Sequence, residues 1–447
     1  MPGTTPRTFS FRADVEGLRA VAVGLVLVSH AFGWLPGGAL GVDVFFVISG
    51  FVITRGLVRE WEATGGIDLR AFYRRRAHRI LPLAAIVLAT TTGLAAAVWF
   101  LPRALQVTLD AAASTTFVMN WHLIGTHASY AHADGPASPL QHFWSLAVEE
   151  QFYVVWPALA VLAWVIASRR NSIARRWLLG AIVFLGASSI VFCAFLTATD
   201  PSRAYFDSGT RAWELLAGCG AAIVLERVTS ATTRLVAIIA TWGGLLLILV
   251  ASCTVPIASG FPWPGAVFPV VGAVLILLFG RDVATPLTMR PVRYAGRISF
   301  GLYLWHWPLL VLAEAAVPWP SPWSAIAALA LSFLLAATTH RFVEAPVLSR
   351  GHRPPRRRRA RGLRSLRSLW LPGVAALIVT ALAASQLRFG VRLSDPVVLL
   401  QSLGATAYPS EGVQALSGAQ LRQAVDRAAG GRSWPVAVRA QLEGGYR

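Results

Sequence analysis

The 447-residue sequence contains little charge, since only 14% of its residues are charged while 55% are hydrophobic. A soluble domain normally carries about a quarter charged residues, so this composition excludes an ordinary water-soluble domain. Apolar runs close to the ~20 residues needed to cross a bilayer recur along the chain. The composition therefore indicates a membrane protein with several spans.

Lysine is absent, so all 40 basic side chains are arginine, and the net charge is +19. The arginines cluster between apolar runs, as positive cytoplasmic loops do in polytopic proteins. The most basic segment, SRGHRPPRRRRARGLRSLRS, lies between two predicted spans. We interpret it as a surface attracted to anionic lipid, so the sequence predicts the lipid bilayer as a partner and no nucleic acid.

Cysteine is also scarce, and the three residues lie far apart in or beside apolar runs: Cys193, Cys219 and Cys253. This spacing excludes a disulfide framework and a cysteine metal site. Histidines recur every five residues at 122, 127 and 132, with a fourth at 142. Five-residue spacing does not place side chains on one helix face, so no metal site is predicted, and these histidines either line an outer vestibule or bind nothing.

The apolar runs predict an all-α polytopic membrane protein. The predicted architecture is a ten-helix bundle with an outer re-entrant or interfacial helix at 110–124 and one additional transmembrane helix. The predicted spans lie near 19–36, 39–57, 79–101, 143–166, 178–198, 209–226, 234–253, 263–280, 297–317, 322–343 and 370–387. The first run lacks a small-residue cleavage site and is interpreted as a retained span.

Arginine counting orients these spans. The segment 55–79 holds seven arginines and 168–177 holds four, so both should be cytoplasmic. An even number of crossings must separate them, and therefore the stretch at 110–124 should not cross. The predicted location is the plasma membrane, with the N-terminus cytoplasmic and the C-terminus extracytoplasmic.

Two ionisable residues stand in the first span, Arg19 and His30. Eleven residues correspond to three helical turns plus about 20°, so both lie on one face, roughly 16 Å apart along the axis. Arg19 alone has the simple explanation of an interfacial anchor. A deep histidine usually faces a polar cavity, and the pair therefore predicts a polar passage along this face.

Further polar residues stand in other predicted spans: Asp43, Glu149, Glu150, Tyr153, Arg211, Glu214, His306 and Glu344. Each has a structural alternative, since an ion pair such as Arg211–Glu214 can serve only to lock two helices. Their number is hard to explain by packing alone, because ionisable groups are costly in the membrane.

Seven motifs occur in order between about residues 9 and 348: FRADVEGLRAVAVGLVLVSHAF, GVDVFFVISGFVI, FYRRRAHRILP, SLAVEEQFY, TRAWELLAG, YLWHWP and RFVEAP. Together they closely resemble the acyltransferase-3 family of integral membrane O-acyltransferases. The resemblance implies transfer of an acyl group, often acetyl, from cytoplasmic acyl-CoA as co-substrate to an extracytoplasmic hydroxyl. The implied acceptor is most often a surface glycan; a small natural product is an alternative.

The resemblance also implies roles for individual residues. His30 corresponds to the family's presumed catalytic histidine, while Glu149 and Glu150 lie in its acidic motif. Arg19, Arg76 and Arg79 match basic motifs. With Arg75, these arginines are predicted to bind the phosphates of acyl-CoA, since arginine suits phosphate oxygens. Whether His30 acts as a general base or carries the acyl group is open. Asp43, Glu149 or Glu150 is expected to orient its imidazole.

The predicted domains are an acyltransferase domain at 1–348, a basic linker at 349–369, a further span at 370–387 and an outer tail at 388–447. Many family members continue into an SGNH domain, but no Gly-Asp-Ser motif occurs here. The tail is interpreted as truncated, a remnant connector or a partner-binding segment, and a separate outer acyl-transferring protein is an open partner. A transporter and a non-catalytic regulator remain alternative functions.

Overall fold

The computed structural model describes residues 12–99, 101–126, 137–166, 171–230, 232–257, 261–316 and 322–347. The predicted linker at 349–369, span at 370–387 and tail at 388–447 lie outside these residues. In the described part, helix is the regular secondary structure throughout. This confirms the predicted all-α polytopic class.

Fourteen α-helices follow one another along the described chain. They are α1 Ala13–Phe32, α2 Gly41–Thr64, α3 Leu69–Val98, α4 Leu101–Thr115, α5 Met119–Gly125, α6 Phe143–Ile166, α7 Asn171–Thr199, α8 Pro201–Phe206, α9 Ser208–Ser230, α10 Arg234–Thr254, α11 Val267–Phe279, α12 Arg290–Arg297, α13 Ser299–Ala316 and α14 Pro322–Thr339. A π-helical turn, His340–Glu344, extends α14.

Ten of these helices overlap the ten predicted spans that fall on described residues, with ends that differ by up to ten residues. In the described part, seven helical segments are long and apolar enough to cross a membrane, and they correspond to α1, α2, α3, α6, α7, α10 and α14. The remaining three are α9, α11 and α13. Helix α11 has only 13 residues, and α9 carries Arg211 and Glu214. Seven of the ten predicted spans therefore meet the length and hydropathy criteria for crossing a membrane.

The stretch predicted at 110–124 is divided between two short helices, α4 and α5. Phe117 stands between them with a positive φ of 55°, a conformation that breaks a continuous helix. Neither α4 nor α5 reaches the ~20 residues of a span. This agrees with the prediction that the stretch does not cross.

Two glycines allow α2 and α9 to pack closely. A Cβ on Gly50 would lie 1.8 Å from the Leu215 carbonyl oxygen, and one on Gly218 would lie 1.9 Å from that of Val47. Small residues at such contacts let membrane helices approach through their backbones. The contact brings the charged face of α9 against the start of α2.

Glycines also fix both ends of α1, which carries Arg19 and His30. Near its start, a Cβ on Gly17 would clash with the Leu287 backbone. At its end, Gly33 adopts a left-handed conformation with φ of 66°, and its N–H donates to the backbone carbonyl oxygen of Ser29. Because only glycine enters this region easily, the helix ends at Phe32, and His30 lies in its last turn.

The outward faces of several helices are apolar. On α7, Val183, Phe184, Val191 and Phe195 are each more than 60% exposed. A soluble protein rarely presents so continuous an apolar surface to water. Together with the seven apolar segments, this surface identifies a membrane protein.

Candidate active site

The described helices surround a cavity of about 780 Å³, a volume that includes the space open to solvent at its mouth. Side chains from α1, α2, α3, α6 and α13 line it. The polar part of the lining consists of Arg19, Arg76, Arg79, Glu149, Tyr153, Tyr303, Ser49, Ser145 and Ser299. We call this space the arginine cavity. Five of the residues singled out in the sequence therefore come together here, from three different helices.

Glu149 is the single carboxylate in the described lining of the arginine cavity. Its Oε1 accepts hydrogen bonds from the hydroxyls of Ser49 and Tyr153. The Arg76 guanidinium lies 4.9 Å from the centre of the Tyr153 ring. Three arginines facing one carboxylate leave the cavity with an excess of positive charge, so it favours an anionic ligand.

Arg19 is held in place on the side of α13. Its Nε donates to the Ser299 hydroxyl over 3.1 Å. This bond uses one of the five N–H groups of the guanidinium, a planar group suited to two-point contact with phosphate. The geometry is compatible with the predicted role of Arg19 as a ligand for a phosphorylated donor.

Three other predicted residues do not line the arginine cavity. Arg75 is half-exposed and pairs with Glu60 over 3.0 Å. The Oε1 of Glu150 is buried and accepts no hydrogen bond from the described residues. Glu344 lies in the π-helical turn, with its Oε2 3.6 Å from His340 Nδ1. Their proposed roles in binding or catalysis stay predictions, and the pairing of Arg75 with Glu60 favours a smaller role for Arg75 than for the cavity-lining Arg76.

A second, smaller pocket surrounds His30. Its lining consists of His30, Val42, Gln141, His142, Trp144, Tyr303 and Trp307. We call it the histidine pocket. The Trp307 ring packs on His30 with 4.7 Å between the ring centres. This packing restricts the rotation of the imidazole.

His30 has His306 as a close partner, at 3.1 Å between His30 Nδ1 and His306 Nε2. The two rings are nearly parallel, with 14° between their planes. His306 is fully buried, and its Nδ1 lies 2.7 Å from the Tyr303 carbonyl oxygen. The orientation of His30 by an acidic residue stays a prediction, and the structure adds a partner that was not predicted, a second imidazole on α13.

Val42 and Tyr303 line both spaces and therefore form the wall between them. The Tyr303 hydroxyl hydrogen-bonds Ser145 Oγ over 2.6 Å and donates to the His142 carbonyl over 3.1 Å. The sequence predicted one polar passage along α1. The structure has two adjacent cavities separated by an aromatic side chain.

Asp43, Arg211 and Glu214 form a separate charged cluster. Arg211 contacts Asp43 Oδ1 at 2.8 Å and Glu214 Oε1 at 3.2 Å, and all three side chains are buried. The guanidinium lies against four aromatic rings: Phe46, Trp144, Tyr205 and Phe261. The cluster joins α2 to α9, which fits the structural alternative considered for this ion pair, and Asp43 points to Arg211 rather than to His30.

Several pocket residues were not singled out from the sequence. Ser299 and Tyr303 precede His306 on α13, and positions 299, 303 and 306 lie on one helical face. That spacing was a usable signal. Ser49 and Ser145 gave none, because serine is common in membrane helices and both act through contacts with distant helices.

The histidines between 122 and 142 have separate surroundings. His142 is buried in the histidine pocket, where its Nε2 lies 3.1 Å from the Leu304 carbonyl oxygen. His122 Nε2 lies 3.0 Å from Asp110 Oδ1. His127 and His132 lie outside the described residues. Among the residues that are described, no group of three His, Cys, Asp or Glu side chains is placed to hold a metal ion.

Asp110 connects α5 to the histidine pocket. It accepts a hydrogen bond from Ser138 Oγ over 2.5 Å, and the Ser138 carbonyl accepts from Trp307 Nε1 over 2.7 Å. Trp307 in turn packs on His30. The contact between His122 and Asp110 therefore links α5, through Ser138, to Trp307 in the lining of the histidine pocket.

We expect the attachment of α5 to depend on pH. The hydrogen bond to Asp110 raises the pKa of His122, against a smaller lowering by burial. The stabilisation from the His122–Asp110 contact is complete below the ordinary pKa of histidine, about 6.5. It is lost as pH rises through the raised pKa of His122. Partial exposure keeps it below about 1 kcal/mol. Hydrogen exchange of 119–126, corrected for intrinsic rates, should be slower at pH 5.5 than at 8.5.

The variant His122→Gln is the control for this pH dependence. Glutamine can still hydrogen-bond Asp110 but does not titrate, so the corrected exchange rates should become independent of pH. Wild-type rates that do not change between the two pH values would contradict the role given to His122.

Comparison with known proteins identifies several relatives of this chain. The chain is 34% identical to peptidoglycan O-acetyltransferase OatA of Listeria monocytogenes over 369 residues, which is 78% of this chain and 58% of that protein. It is 33% identical to putative peptidoglycan O-acetyltransferase YrhL of Bacillus subtilis, over 77% of this chain and 56% of that protein. It is 32% identical to O-acetyltransferase OatA of Staphylococcus aureus, over 75% and 57%.

The matches therefore span less than three-fifths of the length of these relatives. No solved structure matches the chain. The sequence pattern of a family described as "Acyltransferase domain" matches residues 12–341, a range that contains both cavities and their lining. The chain thus belongs to the acyltransferase-3 family, as its seven ordered motifs predicted.

Proposed function

We propose that this protein transfers an acetyl group from cytoplasmic acetyl-CoA to a hydroxyl of a cell-wall glycan on the other side of the plasma membrane. The observation that carries the proposal is the position of an arginine-lined cavity directly beside a histidine pocket, in a chain of an acyltransferase family. The two spaces provide one place for an anionic donor and one for the reaction.

The donor is assigned from the charge of the arginine cavity. Coenzyme A carries phosphate groups, and Arg19, Arg76 and Arg79 present guanidinium groups that bind phosphate oxygens in two-point contacts. Glu149 is engaged by Ser49 and Tyr153, so it opposes the anion less than an unbonded carboxylate would. The cavity thereby retains the sign needed for a phosphorylated ligand.

The thioester reaches His30 across the wall formed by Val42 and Tyr303. The pantetheine arm is thin and uncharged over most of its length, so a small rearrangement of Tyr303 is sufficient for its passage. The histidine pocket is enclosed by bulky rings, including Trp144 and Trp307, which favours a short acyl group such as acetyl. Closure around the thioester also excludes water, which competes with the acceptor hydroxyl.

His30 supplies the basic group of the reaction. As a general base, it takes the proton of the acceptor hydroxyl while the oxygen attacks the thioester carbon. The carbon–sulfur bond then breaks, and the thiolate of coenzyme A receives the proton. In the second route, His30 attacks the thioester carbon and displaces the thiolate of coenzyme A, and the acceptor hydroxyl then attacks the acetyl carbon, releasing the imidazole and giving its proton to the thiolate. Both routes use the same imidazole at the same position.

The acceptor is assigned from the relatives, two of which are named as peptidoglycan O-acetyltransferases, one of them putatively. Orientation is assigned from the arginines, because residues 55–79 hold seven and residues 168–177 hold four, and both segments should be cytoplasmic. Arg19, Arg76 and Arg79 then face the cytoplasmic pool of acetyl-CoA, and the acceptor reaches His30 from outside.

Inverted membrane vesicles carrying the protein provide the test. Acetyl-labelled acetyl-CoA is added outside, the former cytoplasmic face, with peptidoglycan fragments enclosed. Label recovered as a base-labile ester on the glycan supports the proposal. Label that enters the vesicles without ester formation supports a transporter and contradicts it. Vesicles without the protein give the background.

A further inference from the structure

The contacts of His306 determine which nitrogen of His30 can react. A backbone carbonyl oxygen can only accept a hydrogen bond. The Nδ1 of His306 lies 2.7 Å from the Tyr303 oxygen and 3.2 Å from the Leu302 oxygen. This nitrogen must therefore carry the proton and donate it. In a neutral imidazole, the other nitrogen, Nε2, then has a lone pair and no proton.

The same reasoning continues to His30. The unprotonated Nε2 of His306 lies 3.1 Å from Nδ1 of His30. Two lone pairs at this distance repel, so His30 Nδ1 carries a proton and donates it to His306. The lone pair of neutral His30 is then on Nε2. A carbonyl fixed in α13 thus sets the tautomer of an imidazole on α1, through one intervening ring.

We propose that His306 is a positioning residue that holds His30 in the tautomer with the proton on Nδ1, so that Nε2 is the basic and nucleophilic nitrogen. This inference rests on the proposed acyl transfer. Either route uses Nε2: the nitrogen takes the proton of the acceptor hydroxyl while that oxygen attacks the thioester carbon, or it attacks that carbon itself and displaces the thiolate. His306 fills the place that an acid partner occupies in hydrolase triads, and it does so without adding a buried negative charge.

Burial supports a fixed rather than adjustable arrangement. The His306 side chain has no exposed surface, and the rings of His142 and Tyr303 lie 5.7 Å and 5.5 Å from it. Rotation of His306 would break its bonds to two carbonyl groups and leave Nδ1 buried without a partner. The tautomer of His30 is therefore determined before any substrate arrives.

Three substitutions separate this role from simple packing. In His306→Gln, the terminal amide occupies the position of Nε2 and its oxygen can accept from His30. In His306→Asn, the shorter amide can still donate to the Tyr303 carbonyl but does not reach His30. His306→Leu removes the hydrogen bonds to His30 and to the backbone carbonyl groups but keeps a bulky side chain. His78→Asn is the matched control, since His78 is exposed on α3 and lines neither cavity.

In the vesicle assay, His306→Asn and His306→Leu should lower kcat about 10–100-fold, a typical loss for the partner that orients a reactive imidazole. The KM for acetyl-CoA should stay within about twofold, because the donor binds in the arginine cavity. His306→Gln should recover most of the activity, and His78→Asn should match the wild type. An Asn variant as active as Gln, or equal losses in all three His306 variants, would overturn the proposal.

A second readout does not depend on activity. Nitrogen-15 spectra of histidine-labelled protein in lipid, with His30→Ala used to assign the His30 signals, report which ring nitrogen carries the proton. Wild type and His306→Gln should show a protonated Nδ1 and an unprotonated Nε2, while His306→Asn should lose this preference. A protonated Nε2 in the neutral wild type would refute the inference. Absence of ester formation with the expected spectra would refute the proposed function alone.

Discussion

Replacing His30 by alanine should lower acetyl transfer to the glycan by about 10²–10⁴-fold, the usual contribution of a positioned acid–base group. The expected effect is large because both proposed routes need the same nitrogen, and the neighbouring His306 cannot replace it. The lone pair of His306 points at the missing ring, and its other nitrogen is bonded to carbonyl groups. Label in the base-labile ester fraction, measured per amount of protein in the vesicles, gives the rate.

The His30→Ala protein should still fold and insert. Leu18, Ala22 and Val26 form the fully buried side of α1, whereas His30 lies in its last turn and is only half-buried. Acetyl-CoA binding should remain within about threefold of the wild type, since the arginine cavity does not include His30. Substantial transfer by a correctly inserted His30→Ala protein would remove His30 from the mechanism.

Much of the fold follows from the sequence because the bilayer constrains it strongly. A run of about 20 apolar residues has few alternatives to a helix in a membrane, since every backbone polar group must be paired internally. The division of 110–124 into two helices was harder to predict. It depends on the conformation of Phe117, and an isolated positive φ at a non-glycine residue leaves little trace in the sequence.

The site was predictable where one helix decides the geometry. Arg19 and His30 belong to α1, and helical periodicity alone gives their common face. Partners of these residues on other helices could not be predicted from helical periodicity. His30 meets His306, which is 276 residues away, and Asp43 meets Arg211, 168 residues away. Such pairings depend on how the helices pack, which local periodicity does not encode.

Adjacent residues show the same limit at finer scale. Glu149 and Glu150 look equivalent in the sequence, but successive residues of a helix are rotated by 100°. Only Glu149 therefore lies among the hydroxyl donors of the arginine cavity. Arg75 and Arg76 differ similarly, since Arg75 pairs with Glu60 while Arg76 lies over the Tyr153 ring. A motif identifies such a segment, and the packing of α3 and α6 decides which member of it faces the ligand.

This difference between neighbouring arginines leads to a second large effect. The double variant Arg76→Gln with Arg79→Gln should lower kcat/KM for acetyl-CoA by about 10²-fold or more, because each lost charge-assisted hydrogen bond costs about 1.5–3 kcal/mol. Most of the loss should appear in KM, since both residues line the donor cavity and neither lines the histidine pocket.

Arg75→Gln is the matched comparison for the double variant. It removes a positive charge from the same helix, but Arg75 is half-exposed and engaged with Glu60, so kcat/KM should fall by less than about threefold. Salt gives a further distinction: raising ionic strength should weaken donor binding in the wild type and in Arg75→Gln more than in the double variant, which has fewer charges left to screen. Equal losses in the Arg75 and Arg76/Arg79 variants would mean that general positive charge near the membrane, rather than the arginine cavity, attracts the donor.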